Sequence, residues 1–264
     1  MIRDEDRDGA AGSDDEGEVS AVTTGAAWVI GGGSGIGRGV AIALAASAEH
    51  VIVSGRRESE LESTVQAIRE AGGRASALAL DVGDAGLVVA AAQEIIRRHG
   101  AVRTLVYSAG TNVPNRFWSD GAPEDYERVL DVNLTGAVRA VHAVLPGMRS
   151  GRDGLIVLVS SWAGWKFAPT AGAAYSTSKT ALGALAETIN AQERLNGVRA
   201  THFCPGEVAT EILDTRPNPP SRAERDLMLN AEDVGEAIRW IADLPARVCV
   251  NEMVITPTSN TSYA

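Results

Sequence analysis

Ala27-Trp28-Val29-Ile30-Gly31-Gly32-Gly33-Ser34-Gly35-Ile36-Gly37-Arg38-Gly39-Val40-Ala41-Ile42-Ala43-Leu44 decides the fold. Its first four residues are a short apolar run that reads as a buried strand. The last seven carry an apolar helical pattern, and a glycine-rich turn joins the two. In that context glycines permit a tight turn and let backbone approach a pyrophosphate. The helix N-terminus then offers free N–H groups and the positive end of its dipole. Outward from this unit the chain alternates. Strands read near 26–30, 50–54, 75–80, 103–107, 154–160, 198–204 and 250–256, and helices near 35–48, 58–71, 84–99, 123–148, 172–195 and 231–242. Apolar strands alternating with helices predict an α/β fold, a parallel sheet of about seven strands covered on both faces.

Ala173-Ala174-Tyr175-Ser176-Thr177-Ser178-Lys179 lies in one of those helices, and i,i+4 spacing sets Tyr175 and Lys179 on one face. A phenol beside a fixed ammonium ionises more easily, which suits Tyr175 to proton transfer with a carbonyl/alcohol pair.

The spacing Gly31-x-x-x-Gly35-x-Gly37 together with Tyr175-x-x-x-Lys179 resembles the short-chain dehydrogenase/reductase family, from about residue 24 to the C-terminus. Further motifs stand in the family's order: Leu80-Asp81-Val82, Ser108-Ala109-Gly110, Asp131-Val132-Asn133, Ser160-Ser161 and Pro205-Gly206-Glu207-Val208-Ala209-Thr210. The resemblance implies a Rossmann-type doubly wound sheet and hydride transfer between a nicotinamide and a carbonyl carbon. It implies that Tyr175 exchanges the proton. Lys179 lowers the tyrosine pKa and holds the ribose. Ser161, with Ser160 as the neighbouring alternative, bonds the substrate oxygen, and Asn133 holds a water that relays protons. Cofactor contacts are implied for Gly31, Gly33, Ser34, Gly35, Ile36, Gly37, Asp81, Val82, Ala109, Gly110, Pro205, Gly206, Val208 and Thr210. No metal is implied. The sequence departs from the family pattern at Ile30, usually Thr, and at Ser108, usually Asn, with Tyr107 before it.

The end of the second strand reads Val53-Ser54-Gly55-Arg56-Arg57. An acid at Gly55 would accept from a ribose 2′-OH and repel a 2′-phosphate. Arg56 and Arg57 instead suit a phosphate, and Arg38 could add a third cation, so the expected cofactor is NADP(H). Phe117, Trp118, Trp162, Trp165 and Phe167 suggest an apolar wall for an organic carbonyl, or packing beneath a lid formed by residues 205–230. Arg116 and Lys166 could meet an acid group, but both are read as facing solvent. The run Asn251–Thr258 resembles the branch of NADP-dependent 3-hydroxy-acid and serine dehydrogenases, which points to a small β-hydroxy acid or a hydroxy ketone. A catalytically silent NADP(H) sensor is the alternative, though it would have no use for Ser161, Tyr175 and Lys179.

The 264 residues suit one domain, placed at 23–264. Residues 1–22 read as a disordered acidic tail. Its first twenty residues hold eight acids against Arg3 and Arg7, over half of the net charge of −10. That charge argues against nucleic-acid partners. Without an apolar N-terminal segment, neither a signal peptide nor a membrane span is read. Cys204 and Cys249 read as small thiols, consistent with a cytoplasmic protein. In relatives the helices near 123–148 and 172–195 pair across a two-fold axis, which implies a homotetramer or homodimer.

Overall fold

Seven strands form one parallel sheet in the order β3-β2-β1-β4-β5-β6-β7 in a computed structural model that describes residues 25–260. The acidic tail placed at 1–22 lies outside the described residues. β1 (Ala26–Ile30) is wholly buried and pairs with β2 (His50–Gly55) on one side and β4 (Val102–Tyr107) on the other. β3 (Ala75–Ala79), β5 (Gly154–Val159), β6 (Val198–Pro205) and β7 (Glu252–Ile255) complete the sheet. β1 and β5 expose no side chain, as strands covered on both faces require. A buried polar pair sits within this apolar sheet: Trp28 Nε1 donates to Ser54 Oγ at 2.9 Å.

Helices α1 (Gly35–Leu44), α2 (Glu58–Glu70) and α9 (Ala231–Asp243) cover one face around Val40, Leu61, Phe203 and Ile238. α3 (Ala85–His99), α5 (Gly136–Gly151) and α7 (Ala173–Glu193) cover the other around Trp28, Ile95, Val144 and Leu182. α3 is fixed at its start by Asp84, whose carboxylate accepts from Gly86 N at 2.8 Å and Leu87 N at 3.1 Å, a cap of about 1 kcal/mol. α4 (Pro123–Leu130), α6 (Trp162–Trp165) and α8 (Arg222–Arg225) are short. The long helix expected at 123–148 is interrupted, because Asp131–Thr135 is a π-helical turn between α4 and α5. The seventh strand is shorter than the expected 250–256. The segment after β6 carries a 3-10 turn at Glu211–Thr215 and α8.

Strand order reverses between β1 and β4, so the connections leave the sheet in opposite directions there. A crevice opens at the carboxyl ends of these strands, where ligands bind in such sheets. No helix among the described residues is long and apolar enough to cross a membrane.

Candidate active site

The crevice is a groove of about 810 Å³. The turn after β1 forms its floor. Gly31 has φ +88°, and a Cβ there would lie 2.6 Å from Ala109 N, so only glycine fits where the two strand ends converge. Gly31, Gly33, Ser34, Gly35, Ile36 and Gly37 all line the groove. Ser34 caps α1 without a side-chain bond to it, and the first turn holds no acid. The positive end of α1 therefore faces the groove unneutralised, which fits the pyrophosphate of a dinucleotide. The far end is lined by Gly55, Arg56 and Arg57, and the side by Asp81, Val82, Ala109 and Gly110. Asp81 Oδ1 accepts from Gly83 N at 2.9 Å, which shapes its turn. Arg57 Nη2 donates to Ser34 Oγ at 2.9 Å and lies 3.4 Å from Glu211, so its guanidinium closes over the glycine turn. Arg38 is elsewhere: Nη1 donates to Ser63 and Thr64 on α2, and the third cation expected at the phosphate is absent from the groove lining.

A second cavity of about 230 Å³ adjoins the groove, and Tyr175 borders both. Pro205, Gly206 and Val208 line this smaller cavity rather than the groove, while Thr210 borders both. Ser161 lines it together with Tyr175. α6 begins there, with Ala163 N donating to Ser161 Oγ at 3.2 Å. α6 is tied to the sheet edge through Trp165 Nε1, which donates to Glu252 Oε1 at 2.9 Å; Glu252 Oε2 also lies 3.0 Å from His202 Nδ1. Ser160 also borders both cavities, but it is buried and its hydroxyl donates to the Lys179 carbonyl at 2.8 Å. Of the two serines, Ser161 is the one whose hydroxyl bears on the Tyr175 phenol and lowers its pKa.

Burial pushes the Tyr175 phenol above its ordinary pKa, against the Ser161 hydrogen bond and the charges of Arg216 and Arg116. Lys179 is buried, and burial lowers its ammonium to about 8. Its Nζ donates to the Val159 carbonyl at 2.8 Å and stands 5.8 Å from the Tyr175 ring centroid. The charges of Arg216 and Arg116 lower the phenol's pKa, while the Lys179 ammonium lies over the ring face. Asn133 is fully buried in the π-helical turn. Its amide is used locally: Oδ1 accepts from Thr111 N at 2.7 Å, and Nδ2 donates to Thr111 O and Ser178 Oγ, each at 3.0 Å. Asn133 therefore sits behind the groove wall and sets the position of the segment that follows Gly110.

Three placements differ from the sequence expectation. Arg116 is partly buried rather than turned out to solvent. It lines the smaller cavity, with Nε donating to Val113 O at 2.7 Å and Nη2 to Thr215 O at 2.6 Å. The aromatic wall reduces to Trp162, because Trp118 and Phe167 are 90% and 86% exposed and neither they nor Phe117 and Trp165 line the cavity. Tyr107 carries a structural bond the sequence did not reveal: its hydroxyl donates to the Val132 carbonyl at 2.5 Å and braces the turn that holds Asn133.

Comparison with known proteins agrees with this architecture. A family model described as short chain dehydrogenase matches residues 25–220. The short-chain reductase protein NovJ of Streptomyces niveus is 37% identical over 197 residues, which are 75% of this chain and 74% of that protein. Glycine betaine reductase ATRR of Emericella nidulans is 33% identical over 243 residues, 88% of this chain but 18% of that far longer protein. The closed form of a serine dehydrogenase complexed with NADP+ superposes with a TM-score of 0.80 at 26% identity, over 90% of this chain and 97% of that one. On the motif order, the sheet topology and these matches, the chain belongs to the short-chain dehydrogenase/reductase family of oxidoreductases.

Proposed function

We propose that this protein is an NADP(H)-dependent alcohol dehydrogenase or ketoreductase acting on a secondary alcohol or its carbonyl, with a β-hydroxy acid or a hydroxy ketone as substrate. One observation carries the reading: Tyr175, with Ser161 beside it on the cavity wall, stands where the groove meets the smaller cavity. A dinucleotide and a small organic molecule can thus approach one phenol from two sides. When bound, NADP(H) supplies or takes the hydride. The glycine turn from Gly31 to Gly37 would hold its pyrophosphate, Asp81 and Val82 its adenine, and Arg56 and Arg57 its 2′-phosphate. Ala109, Gly110 and Lys179 would flank the nicotinamide ribose, and Pro205, Gly206, Val208 and Thr210 its carboxamide. The absence of an acid at Gly55 and the NADP+ complex of the serine dehydrogenase support the choice of NADP(H).

Tyr175 gives its proton to the oxygen of a carbonyl under reduction, or takes the proton of an alcohol under oxidation. Ser161 donates to the same oxygen, and that bond strengthens as negative charge develops. Arg116 and Arg216 stabilise a transient phenolate by their charge. Lys179 lies on the same helix face, with its ammonium bonded to the Val159 carbonyl, and would replenish the proton of the phenol. The pairing of helices seen in relatives makes a homotetramer or homodimer the expected assembly, in the cytoplasm.

Turnover with a panel of ketones and β-keto acids, followed as NADPH oxidation, tests the reading. Tyr175→Phe keeps the ring and removes the proton, so kcat should fall by roughly 10²–10⁴-fold with NADPH affinity unchanged. Ser161→Ala should also lower kcat, whereas Ser160→Ala should act on stability, since its hydroxyl is bonded to the α7 backbone. Near-normal turnover by Tyr175→Phe would overturn the mechanism.

A further inference from the structure

Three charged side chains line the smaller cavity: Arg116, Arg216 and Glu207. Two of them neutralise each other, with Arg216 Nη1 at 2.8 Å from Glu207 Oε1. Arg116 is left over. Its partners are neutral: the Val113 carbonyl, the Thr215 carbonyl and, more distantly, the Thr215 hydroxyl at 3.5 Å. No carboxylate among the described residues pairs with it. The cavity is therefore net positive within a chain of net charge −10.

The geometry of Arg116 is that of a preset receptor. Nε and Nη2 are pinned to carbonyls on two different loops, so the guanidinium plane is fixed before any ligand arrives. Nη1 makes no hydrogen bond among the described residues and remains available. Partial burial of an unpaired guanidinium is unfavourable, and burial together with the neighbouring Arg216 lowers the Arg116 pKa. A guanidinium does not escape that cost by losing its proton in the ordinary pH range. An incoming anion would offset it. Both arginines also act electrostatically on the Tyr175 phenol, so an anion held by Arg116 lies within the same small cavity as the proposed proton-transfer oxygen.

We propose that Arg116, backed by Arg216, is the recognition site for a carboxylate on the substrate, so that the protein selects small oxo or hydroxy acids over neutral ketones and alcohols. This deepens the carbonyl–alcohol reading above and rests on it for the chemistry. The hydroxy-ketone option is thereby set aside. Arg216 engages Glu207 and so keeps that carboxylate from competing with the anion for Arg116. A planar fork with a free edge suits a carboxylate, which accepts charge-assisted hydrogen bonds from guanidinium.

The test is a binding comparison of 3-hydroxybutyrate with its methyl ester, by calorimetry on the full chain with and without NADP+. The two probes differ in one charge. Wild-type protein should bind the acid at least tenfold more tightly than the ester. Arg116→Gln should abolish that difference while leaving ester affinity unchanged, and Arg116→Lys should restore part of it. The proposal is overturned if acid and ester bind alike, if the acid shows no measurable binding, or if Arg116→Gln weakens both equally, which would make Arg116 only a clasp between two loops. An Arg116-dependent acid preference in a protein whose turnover is indifferent to Tyr175→Phe would support the subsite and remove the hydride-transfer mechanism alone.

Discussion

Tyr107 and Gly136 form a coupled pair that can be tested by a double-mutant cycle. A Cβ added at Gly136 would lie 2.2 Å from the Tyr107 hydroxyl and 3.0 Å from Val82 Cβ and Cγ2. The phenol cannot retreat, since it is fully buried and donates to the Val132 carbonyl at 2.5 Å. Gly136→Ala should therefore destabilise by about 1–3 kcal/mol through overpacking. Tyr107→Phe removes the obstructing oxygen but leaves Val132 without that donor, at a cost of about 1–3 kcal/mol for a buried polar group that loses its partner. In the double variant the closest clash is gone and the remaining contacts are with Val82. Gly136 has helical angles, φ −60° and ψ −38°, so alanine there also recovers about 0.5–1 kcal/mol of chain entropy. The double variant should thus be less destabilised than the sum of the singles by about 1 kcal/mol or more, read from urea unfolding. Additivity within about 0.5 kcal/mol, the behaviour of independent sites, would refute the coupling. Because Val132 adjoins Asn133, both singles should also lower kcat, and the double variant should recover part of it.

Arg56→Ala combined with Arg57→Ala should weaken NADPH binding by about 1.5–3 kcal/mol, the range for hydrogen bonds to charged groups. Arg57→Ala alone should also cost some NADH affinity, since Arg57 holds Ser34; equal losses for both cofactors in the double variant would refute the phosphate assignment. Burial lowers Lys179 from 10.5 to about 8, so the unfolded chain binds more protons between those values and stability should rise with pH across that window. Lys179→Met should remove that rise, and a stability difference between wild type and variant that does not change from pH 8 to 10.5 would count against it. Light scattering should report a dimer or tetramer, and a species near 27.5 kDa would reject the assembly.

The parts of the fold legible in sequence are those where periodicity and burial coincide. Central strands such as Leu155–Val159 are continuous apolar runs because helices cover both faces, and the glycine turn announces itself by its flanks. Tyr175 and Lys179 were legible for the same reason. They ride on a regular helix, where a spacing of four fixes a shared face whatever the rest of the chain does. The π-helical turn at Asp131–Thr135 was not legible. One extra residue in a turn leaves the apolar spacing on either side almost undisturbed, so a break within 123–148 carries no signature.

Side-chain direction in loops is where sequence reasoning stops. Asn115, Arg116, Phe117 and Trp118 lie outside regular secondary structure, so no period assigns any of them to a face. Composition alone would send the arginine to water and the aromatics inward. The observed arrangement is the reverse: Trp118 is exposed and Arg116 lines the cavity. The cause is the Thr215 carbonyl, contributed from 99 residues downstream, which together with the nearby Val113 carbonyl gives the guanidinium acceptors on the inner side. A long-range acceptor of that kind leaves no mark near Arg116 in the chain. The residues proposed for proton transfer could be read from a helix, while the residue proposed to choose the substrate became visible only once the segment after β6 was folded against its loop.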